Sequence, residues 1–247
     1  MNLYFRNWCF SPGLITSLLA VGFFTLFVFL GCWQLERAEQ KRNLFVEFEN
    51  RQLTEAMNLN QVDDTKSSFD NLLWRPVIVS GRFLEDFQIL LDNQVQKTKA
   101  GYYIYTPFQL LDSERVVLVN RGWLAVGSDR KVSPNIVATK GMVKIKAIIK
   151  EIPKTGLLLK ELPPEEMKNG FYRVQRIDLA ELEELTSTKL LPYVIRLSPE
   201  SEHGYYRKWP LPGSGEDKHN GYAFQWFAFA TVLFIIYFLL NIKLKDL

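Results

Sequence analysis

One histidine and two aromatic residues near the C-terminus have the types and the spacing of a ligand-binding cluster. On a helix, His219, Tyr222, Ala223, Trp226 and Ala230 lie on one face, because residues three, four and seven positions apart are neighbours there. The imidazole can ligate a metal ion or a haem iron, and two alanines among bulky neighbours would leave a slot for a planar macrocycle between aromatic walls. Alternatively, His219 lies among lipid headgroups, and Tyr222 and Trp226 are ordinary aromatic residues of a membrane interface.

A second cluster, near the N-terminus, combines a tryptophan with two cations. Trp33, Arg37 and Lys41 follow one another at steps of four residues, which places them on one helical face with Gln34 close by. Arginine and lysine in this position can hold carboxylates such as haem propionates. They can equally extend toward lipid phosphates. The two clusters form one site only if the segments that carry them pack side by side.

Each cluster lies at one end of an apolar segment that is long enough to cross a membrane. No charged residue occurs from Leu14 to Gly31 or from Tyr222 to Leu240, and about 20 apolar residues span a hydrocarbon core of roughly 30 Å. We therefore predict two transmembrane helices that flank one domain. The predicted boundaries are residues 1–11 for the N-terminal tail, 12–34 for the first helix, 35–219 for the domain, 220–241 for the second helix and 242–247 for the C-terminal tail.

The flanking charges predict on which side of the membrane the domain lies. Two membrane helices place both termini on one side, and Arg6, Lys243 and Lys245 favour the cytoplasm for that side. An Arg-rich transit peptide is absent, which favours a bacterial inner membrane with the domain in the periplasm. A cleavable signal sequence is the alternative for the first apolar segment, although no small-residue cleavage site follows it.

The segment between the two helices has the alternation of β-strands. Short stretches of this kind, separated by turn residues, are 77–79, 81–83, 87–91, 102–105, 116–119, 143–149 and 193–197. Asp178 precedes leucines at every third position, which predicts one short helix up to residue 186. Residues 35–57 either extend the first membrane helix or form a helix on the domain. The predicted fold class is a membrane-anchored α+β protein, in which two transmembrane helices flank a mainly antiparallel, barrel-like β domain with one or two short helices.

The composition argues against several classes of function. The net charge of +3 comes from 30 basic and 27 acidic residues without a basic stripe, so nucleic acid is not an expected partner. Both cysteines, Cys9 and Cys32, lie in or beside the first apolar segment, so the domain lacks the thiols for a copper or zinc site. The sequence contains no motif for a catalytic nucleophile or a phosphate-binding loop. We predict no catalytic residue and no enzyme activity.

Within the domain, Arg121, Gly122 and Trp123 end an apolar strand. Arg121 after four apolar residues is either a paired structural cation or a contact for a partner protein, and Gly122 indicates a turn or a bulge. These three residues are the candidates for partner binding in the domain.

Four motifs occur one after another along the chain. They are residues 31–37 (GCWQLER), Gly101 with Thr106-Pro107-Phe108, residues 119–123 (VNRGW), and His219 through Tyr222 to Gln225-Trp226-Phe227. Together they resemble the Surfeit locus protein 1 family, the assembly factors of cytochrome c oxidase. The combination covers the chain from the first apolar segment to the last.

The resemblance implies a function that the residues alone leave open. It implies an inner-membrane carrier, not a catalyst, which binds haem a and assists its insertion into, or its stabilisation in, subunit I of the oxidase. The histidine at position 219 would be an axial ligand of the haem iron. The partners implied are subunit I, its other assembly factors and the enzyme of haem a synthesis. The alternative function is a scaffold or chaperone that stabilises an assembly intermediate without binding haem.

Overall fold

The chain forms two compact units in the computed structural model, which describes residues 3–5, 8–62, 69–127, 129–130, 132–154 and 162–244. One unit comprises Met1–Glu49 and Pro210–Leu247, and the other comprises Asn50–Trp209. The helices are α1 (Leu14–Gln52), α2 (Phe69–Leu72), α3 (Leu179–Thr186) and α4 (Glu216–Asn241). The strands are β1 (Leu3–Phe5), β2 (Trp8–Phe10), β3 (Met57–Asn58), β4 (Pro76–Phe83), β5 (Gln88–Gln96), β6 (Lys99–Leu110), β7 (Val116–Ala125), β8 (Val143–Lys150), β9 (Glu165–Glu166), β10 (Phe171–Val174), β11 (Leu190–Leu197) and β12 (Ile242–Leu244).

The first unit is built on two helices, α1 and α4, that are long and apolar enough to cross a membrane. Helix α1 is continuous over 39 residues, so of the two alternatives for residues 35–57 the extension of the first helix is the one observed. The β-rich unit comprises Asn50–Trp209, and the predicted domain boundaries of 35–219 stay a prediction. The predicted N-terminal tail contains β1 and β2, and the predicted C-terminal tail contains β12. Strand β2 pairs antiparallel with both β1 and β12. Which residues of the two helices lie in lipid stays a prediction.

A closed barrel of five strands forms the centre of the second unit. The strands follow one another around the ring in the order β4, β8, β11, β7 and β6, and the pairing of Gly81–Phe83 with Phe108–Leu110 closes it. All neighbours in the ring are antiparallel except β11 and β7, which run parallel. The prediction of a mainly antiparallel, barrel-like domain between two apolar helices is confirmed.

Strand β6 belongs both to the barrel and to a side sheet. Its C-terminal part pairs with β4, whereas its N-terminal part pairs with β5. The side sheet continues from β5 through the parallel β10 to β9. The short helix predicted after Asp178 is α3, and the Asp178 carboxylate caps it by accepting a hydrogen bond of 3.3 Å from the Glu181 backbone N–H.

Alternation along the barrel strands divides apolar side chains between the barrel interior and a cluster outside it. A third cluster, around Leu90, Tyr102 and Ile104, lies in the side sheet. Residues of β4, β7, β8 and β11 that point inward fill the barrel, and these include Val79, Val119, Ile145, Ile149, Tyr193 and Ile195. Residues of the same strands that point outward pack with α3 and β5, and these include Leu118, Val194, Ile89 and Leu182. Because successive side chains of a strand point to opposite faces, a residue next to one that fills the barrel points outward.

Gly101 lies where two strands approach too closely for a side chain. A Cβ atom at this position would lie 2.4 Å from the Leu124 carbonyl oxygen and 2.4 Å from the Trp123 ring. We expect Gly101→Ala to lower the free energy of unfolding by about 1–3 kcal/mol, because the strands must separate to admit the methyl group. Denaturant unfolding of the purified chain measures this. Gly127→Ala is the matched control, since no atom lies within 4 Å of its Cβ position, and equal stability of the two variants would contradict the prediction.

Candidate functional site

The two predicted clusters meet through a hydrogen bond between the two apolar helices. His219 Nδ1 of α4 lies 2.7 Å from Gln34 Oε1 of α1. Because an amide oxygen only accepts hydrogen bonds, the proton of the imidazole lies on Nδ1. In the neutral imidazole with this tautomer, the other ring nitrogen, Nε2, carries the lone pair, which is the form of histidine that ligates a metal.

The contacts below this hydrogen bond show that the helices are antiparallel neighbours along their apolar length. A Cβ atom on Gly31 would lie 2.7 Å from the Phe227 ring, so the backbone of α1 touches α4 at this glycine. Further contacts follow toward the start of α1. The ring centres of Phe27 and Trp226 are 5.8 Å apart, and those of Phe24 and Phe234 are 6.5 Å apart. The hydroxyl groups of Ser17 and Tyr237 share a hydrogen bond of 2.6 Å. The condition under which the two clusters can form one site, side-by-side packing of their segments, is therefore met.

The predicted slot beside the histidine is absent at the two alanines. Ala223 and Ala230 retain only 1% and 4% of their exposed surface. They lie on the face of α4 that includes Phe227, which contacts Gly31. Small residues allow close packing of membrane helices, and this pair uses the alanines in that way. The prediction that they leave room for a macrocycle is therefore wrong.

Trp226 also belongs to the packing of the two helices. Its ring stacks on Phe27 and meets Phe229 edge to face, with ring centres 5.8 Å apart in both pairs. Seven residues separate Trp226 from His219, which corresponds to about 10 Å along a helix. Of the aromatic residues predicted to line the slot, Trp226 is therefore the one that makes ring contacts within the helix pair.

Trp33 and Tyr222 are exposed residues at the same end of the helix pair as His219. Trp33 is 41% exposed and Tyr222 is 51% exposed. Arg37 stacks on Trp33, with its Cζ atom 5.6 Å from the ring centre, and donates a hydrogen bond of 2.9 Å to Gln40 Oε1. The predicted stacking of a cation on Trp33 is present for Arg37. In the described part of the chain, no such contact joins Lys41 to that ring.

A glycine-containing connector holds the start of α4 against α1. Gly213 has a φ of +73°, and a Cβ atom there would lie 2.2 Å from the Lys41 carbonyl oxygen. Only glycine adopts this backbone conformation at such a close approach without strain. Helix α4 begins three residues later, and the His219 backbone N–H donates to the Gly215 carbonyl oxygen at 3.3 Å. His219 therefore lies in the first turns of a helix whose start is fixed in place.

In the domain, Arg121 is a buried structural cation. Arg121 is only 1% exposed, and its Nη1 atom forms an ion pair of 3.2 Å with Glu85. The guanidinium also donates to the His203 carbonyl oxygen at 2.8 Å and to Thr139 Oγ1 at 3.1 Å. Of the two alternatives for Arg121, the structural one, a paired cation, is observed, and its predicted role in partner binding stays a prediction.

Gly122 and Trp123 of strand β7 contact the segment around Tyr206, which follows β11. Gly122 is buried with a φ of +119°, and its Cβ position lies 2.9 Å from the Tyr206 carbonyl oxygen. The Trp123 backbone pairs with Tyr206, and its indole N–H donates to the Gln94 carbonyl oxygen at 2.8 Å. The predicted turn or bulge at Gly122 is present as a shift in strand register. The Trp123 ring is partly exposed, so its predicted role in partner binding stays a prediction.

Comparison with known proteins gives matches over most of the chain. A sequence model of the SURF1 family matches residues 21–231. A SURF1-like protein of Rickettsia bellii is 27% identical over 228 residues, which cover 90% of this chain and 89% of the relative. Surfeit locus protein 1 of Homo sapiens is 26% identical over 193 residues, which cover 72% of this chain and 52% of the relative. The cytochrome oxidase assembly protein SHY1 of Saccharomyces cerevisiae is 30% identical over 107 residues, which cover 43% of this chain and 26% of the relative.

Proposed function

Because the chain belongs to the SURF1 family, we propose that it acts in the assembly of cytochrome oxidase, the role in the name of its yeast relative. In this proposal the protein binds haem a and assists its insertion into, or its stabilisation in, subunit I. It is a carrier in a bacterial inner membrane, with the domain in the periplasm and both termini in the cytoplasm. Its partners are subunit I, other assembly factors of the oxidase and the enzyme that synthesises haem a.

The observation that carries the haem proposal is the hydrogen bond between His219 Nδ1 and Gln34 Oε1, which is 2.7 Å long. Histidines that ligate a metal through one ring nitrogen usually donate a hydrogen bond from the other, because that bond fixes the ring and its tautomer. Gln34 has this supporting position. Nε2 of His219 would be the axial ligand, and bound haem a would supply an iron atom that accepts a nitrogen ligand.

Other residues at this end of the helix pair fit the remaining parts of a haem. Trp33 and Tyr222 are exposed aromatic residues, which suit an apolar macrocycle. Arg37, held on the Trp33 ring, and Lys41 would neutralise the propionate carboxylates. Because Ala223 and Ala230 are buried, the proposal relies on the exposed side of this end and not on a slot between the helices.

The direct test is the visible spectrum of the purified full-length chain. The protein is expressed together with the enzymes of haem a synthesis, solubilised in mild detergent, and compared before and after reduction with dithionite. We expect a Soret band and a reduced α band of haem a that stay with the protein through gel filtration. A chain that is folded but carries no haem after this treatment would overturn the haem proposal.

Gln34 provides a second test, which separates ligand support from mere helix packing. We expect Gln34→Leu to weaken haem retention by roughly 10-fold or more, as loss of a supporting residue usually does, because Nδ1 of His219 loses its acceptor. Gln34→Glu keeps an acceptor oxygen and is expected to retain haem. The readout is the haem to protein ratio after dilution into apomyoglobin, which captures released haem. Equal retention by the leucine and glutamate variants would contradict the role of Gln34.

A scaffold without haem is the second candidate function, and the buried alanines favour it. Small buried residues and one hydrogen bond between the helices are also what a tightly packed membrane helix pair needs by itself. In that case His219 stabilises the pair, and the protein acts on an oxidase intermediate through protein contacts alone. Normal oxidase assembly by a protein that never carries haem would support this function.

A further inference from the structure

Two cations lie next to each other on the outer face of the barrel. In the antiparallel pair β8 and β11, Val194 is opposite Lys150 and Arg196 is opposite Ile148. Lys150 and Arg196 are therefore diagonal neighbours on one face of the sheet. Ile195, which lies between Val194 and Arg196 in β11, is fully buried in the barrel, so Val194, Arg196 and the Lys150 opposite Val194 lie on the outer face.

Aromatic rings cover both cations. The Arg196 Cζ atom lies 4.8 Å from the centre of the Trp209 ring, which packs in turn against Tyr103 at 5.6 Å. The Lys150 Nζ atom lies 5.2 Å from the centre of the Trp74 ring. Attraction between cations and aromatic rings holds both side chains in place. We call these five residues the cation–aromatic cluster.

Among the described residues, no carboxylate forms an ion pair with a cation of this cluster. In that part of the chain neither Lys150 nor Arg196 forms an ion pair, and Arg196 Nε is buried without an acceptor. Burial and the charge of Arg196 lower the pKa of Lys150 to about 8, and the neighbouring Glu151 offsets this only in part. Burial also lowers the pKa of Arg196. A partly buried cation without an anion is unfavourable, and an anion placed here would recover that free energy.

We infer that the cation–aromatic cluster binds a carboxylate of a partner protein, carried by an acidic side chain or by a C-terminus. A guanidinium matches a carboxylate through two parallel hydrogen bonds, and Lys150 would add a point charge beside it. Trp, Tyr and Arg are also the residues that dominate the binding energy of protein interfaces. This site is separate from His219, and the inference does not depend on haem binding.

The surroundings of the cations favour a protein over a lipid headgroup. Surfaces that meet anionic lipids usually present several extended, exposed lysines. Here the two cations are partly buried and each is covered by an indole ring. Such a site admits one anionic group that enters in a fixed orientation, which is typical of a protein contact.

The test measures binding of a dye-labelled oligoglutamate peptide to the full-length chain in neutral detergent. Fluorescence anisotropy at physiological salt is expected to give saturable binding. Arg196→Gln and Lys150→Gln are each expected to weaken it about 10-fold, which corresponds to the loss of one charge-assisted contact. The control is Lys144→Gln with Lys146→Gln, because both lysines are exposed on the same strand, β8. That control is expected to retain the binding of the wild type.

Several outcomes of this experiment would overturn the inference. An equal loss in the control variant would show unspecific attraction between charges. Displacement of the peptide by an equal concentration of inorganic phosphate would assign the site to a small anion. Binding that depends on Lys150 and Arg196 only for micelles containing phosphatidylglycerol would assign it to a lipid. Should Arg196→Gln not fold, Lys150→Gln alone decides, and wild-type affinity of that folded variant would refute the site.

Discussion

Replacing Arg121 with methionine is expected to lower the free energy of unfolding of the β-rich unit by about 3–5 kcal/mol, the usual loss when one partner of a buried ion pair is removed. The substitution leaves the Glu85 carboxylate without its cation and the His203 carbonyl oxygen without its donor. Methionine fills a similar volume, so the loss reflects unpaired polar groups and not a cavity. Denaturant unfolding monitored by circular dichroism measures the difference.

The matched control for this prediction is Arg82→Met. Arg82 is exposed, and among the described residues its guanidinium bonds only to Gln109, at 2.9 and 3.1 Å. Such a surface substitution is expected to change stability by no more than about 0.5 kcal/mol. If both variants lose the same small amount of stability, Arg121 does not act as a structural cation of the domain.

Replacing His219 with alanine is expected to have the largest effect on function. The proposed role predicts that the affinity of this chain for haem a falls by more than the roughly 10- to 100-fold that loss of a supporting residue brings, because the ligand itself is removed. The haem a content of the oxidase is expected to fall as a result. Stability of the β-rich unit should not change, since His219 lies in the other unit. The measurement combines oxidase activity in membranes with the haem a content of the purified oxidase.

The only other histidine provides the control. His203 has a φ of +65° and gives only its backbone carbonyl oxygen to Arg121, and asparagine tolerates this conformation. His203→Asn is therefore expected to support normal oxidase assembly. If His219→Ala also supports it, the protein acts as a scaffold and the proposed haem site is wrong.

Much of the domain could be predicted from local patterns. Alternation of apolar residues predicts most strands of the barrel, and Asp178 before a repeat of leucines predicts α3, because strand period and helix capping are local properties. The order of the strands was not predictable in this way. The parallel placement of β11 beside β7, and of β10 beside β5, depends on contacts between residues far apart in the chain, which periodicity does not encode.

The site could be predicted in part for a similar reason. Residue types and helical spacing identified His219, Gln34, Trp33 and Arg37, but the bond between His219 and Gln34 depends on the register of two helices. That register follows from close packing at Gly31 and at the alanines, and one sequence does not reveal which small residues face each other. For the same reason, the sequence did not reveal that Ala223 faces the other helix, and a slot was predicted beside it. The pairing of Lys150 with Arg196 was missed because it follows from strand order.

The position of β11 in the ring has a consequence for how the protein is made. It is the last barrel strand in the sequence, yet it lies between β7 and β8. Until Leu197 has left the ribosome, the nascent domain exposes two unpaired edges, which are templates for aggregation. Ring closure must also join distant parts of the chain, and such topologies fold slowly. The domain therefore completes its fold only when little of the chain remains to be synthesised, so that barrel closure and integration of the second apolar helix follow each other closely in time.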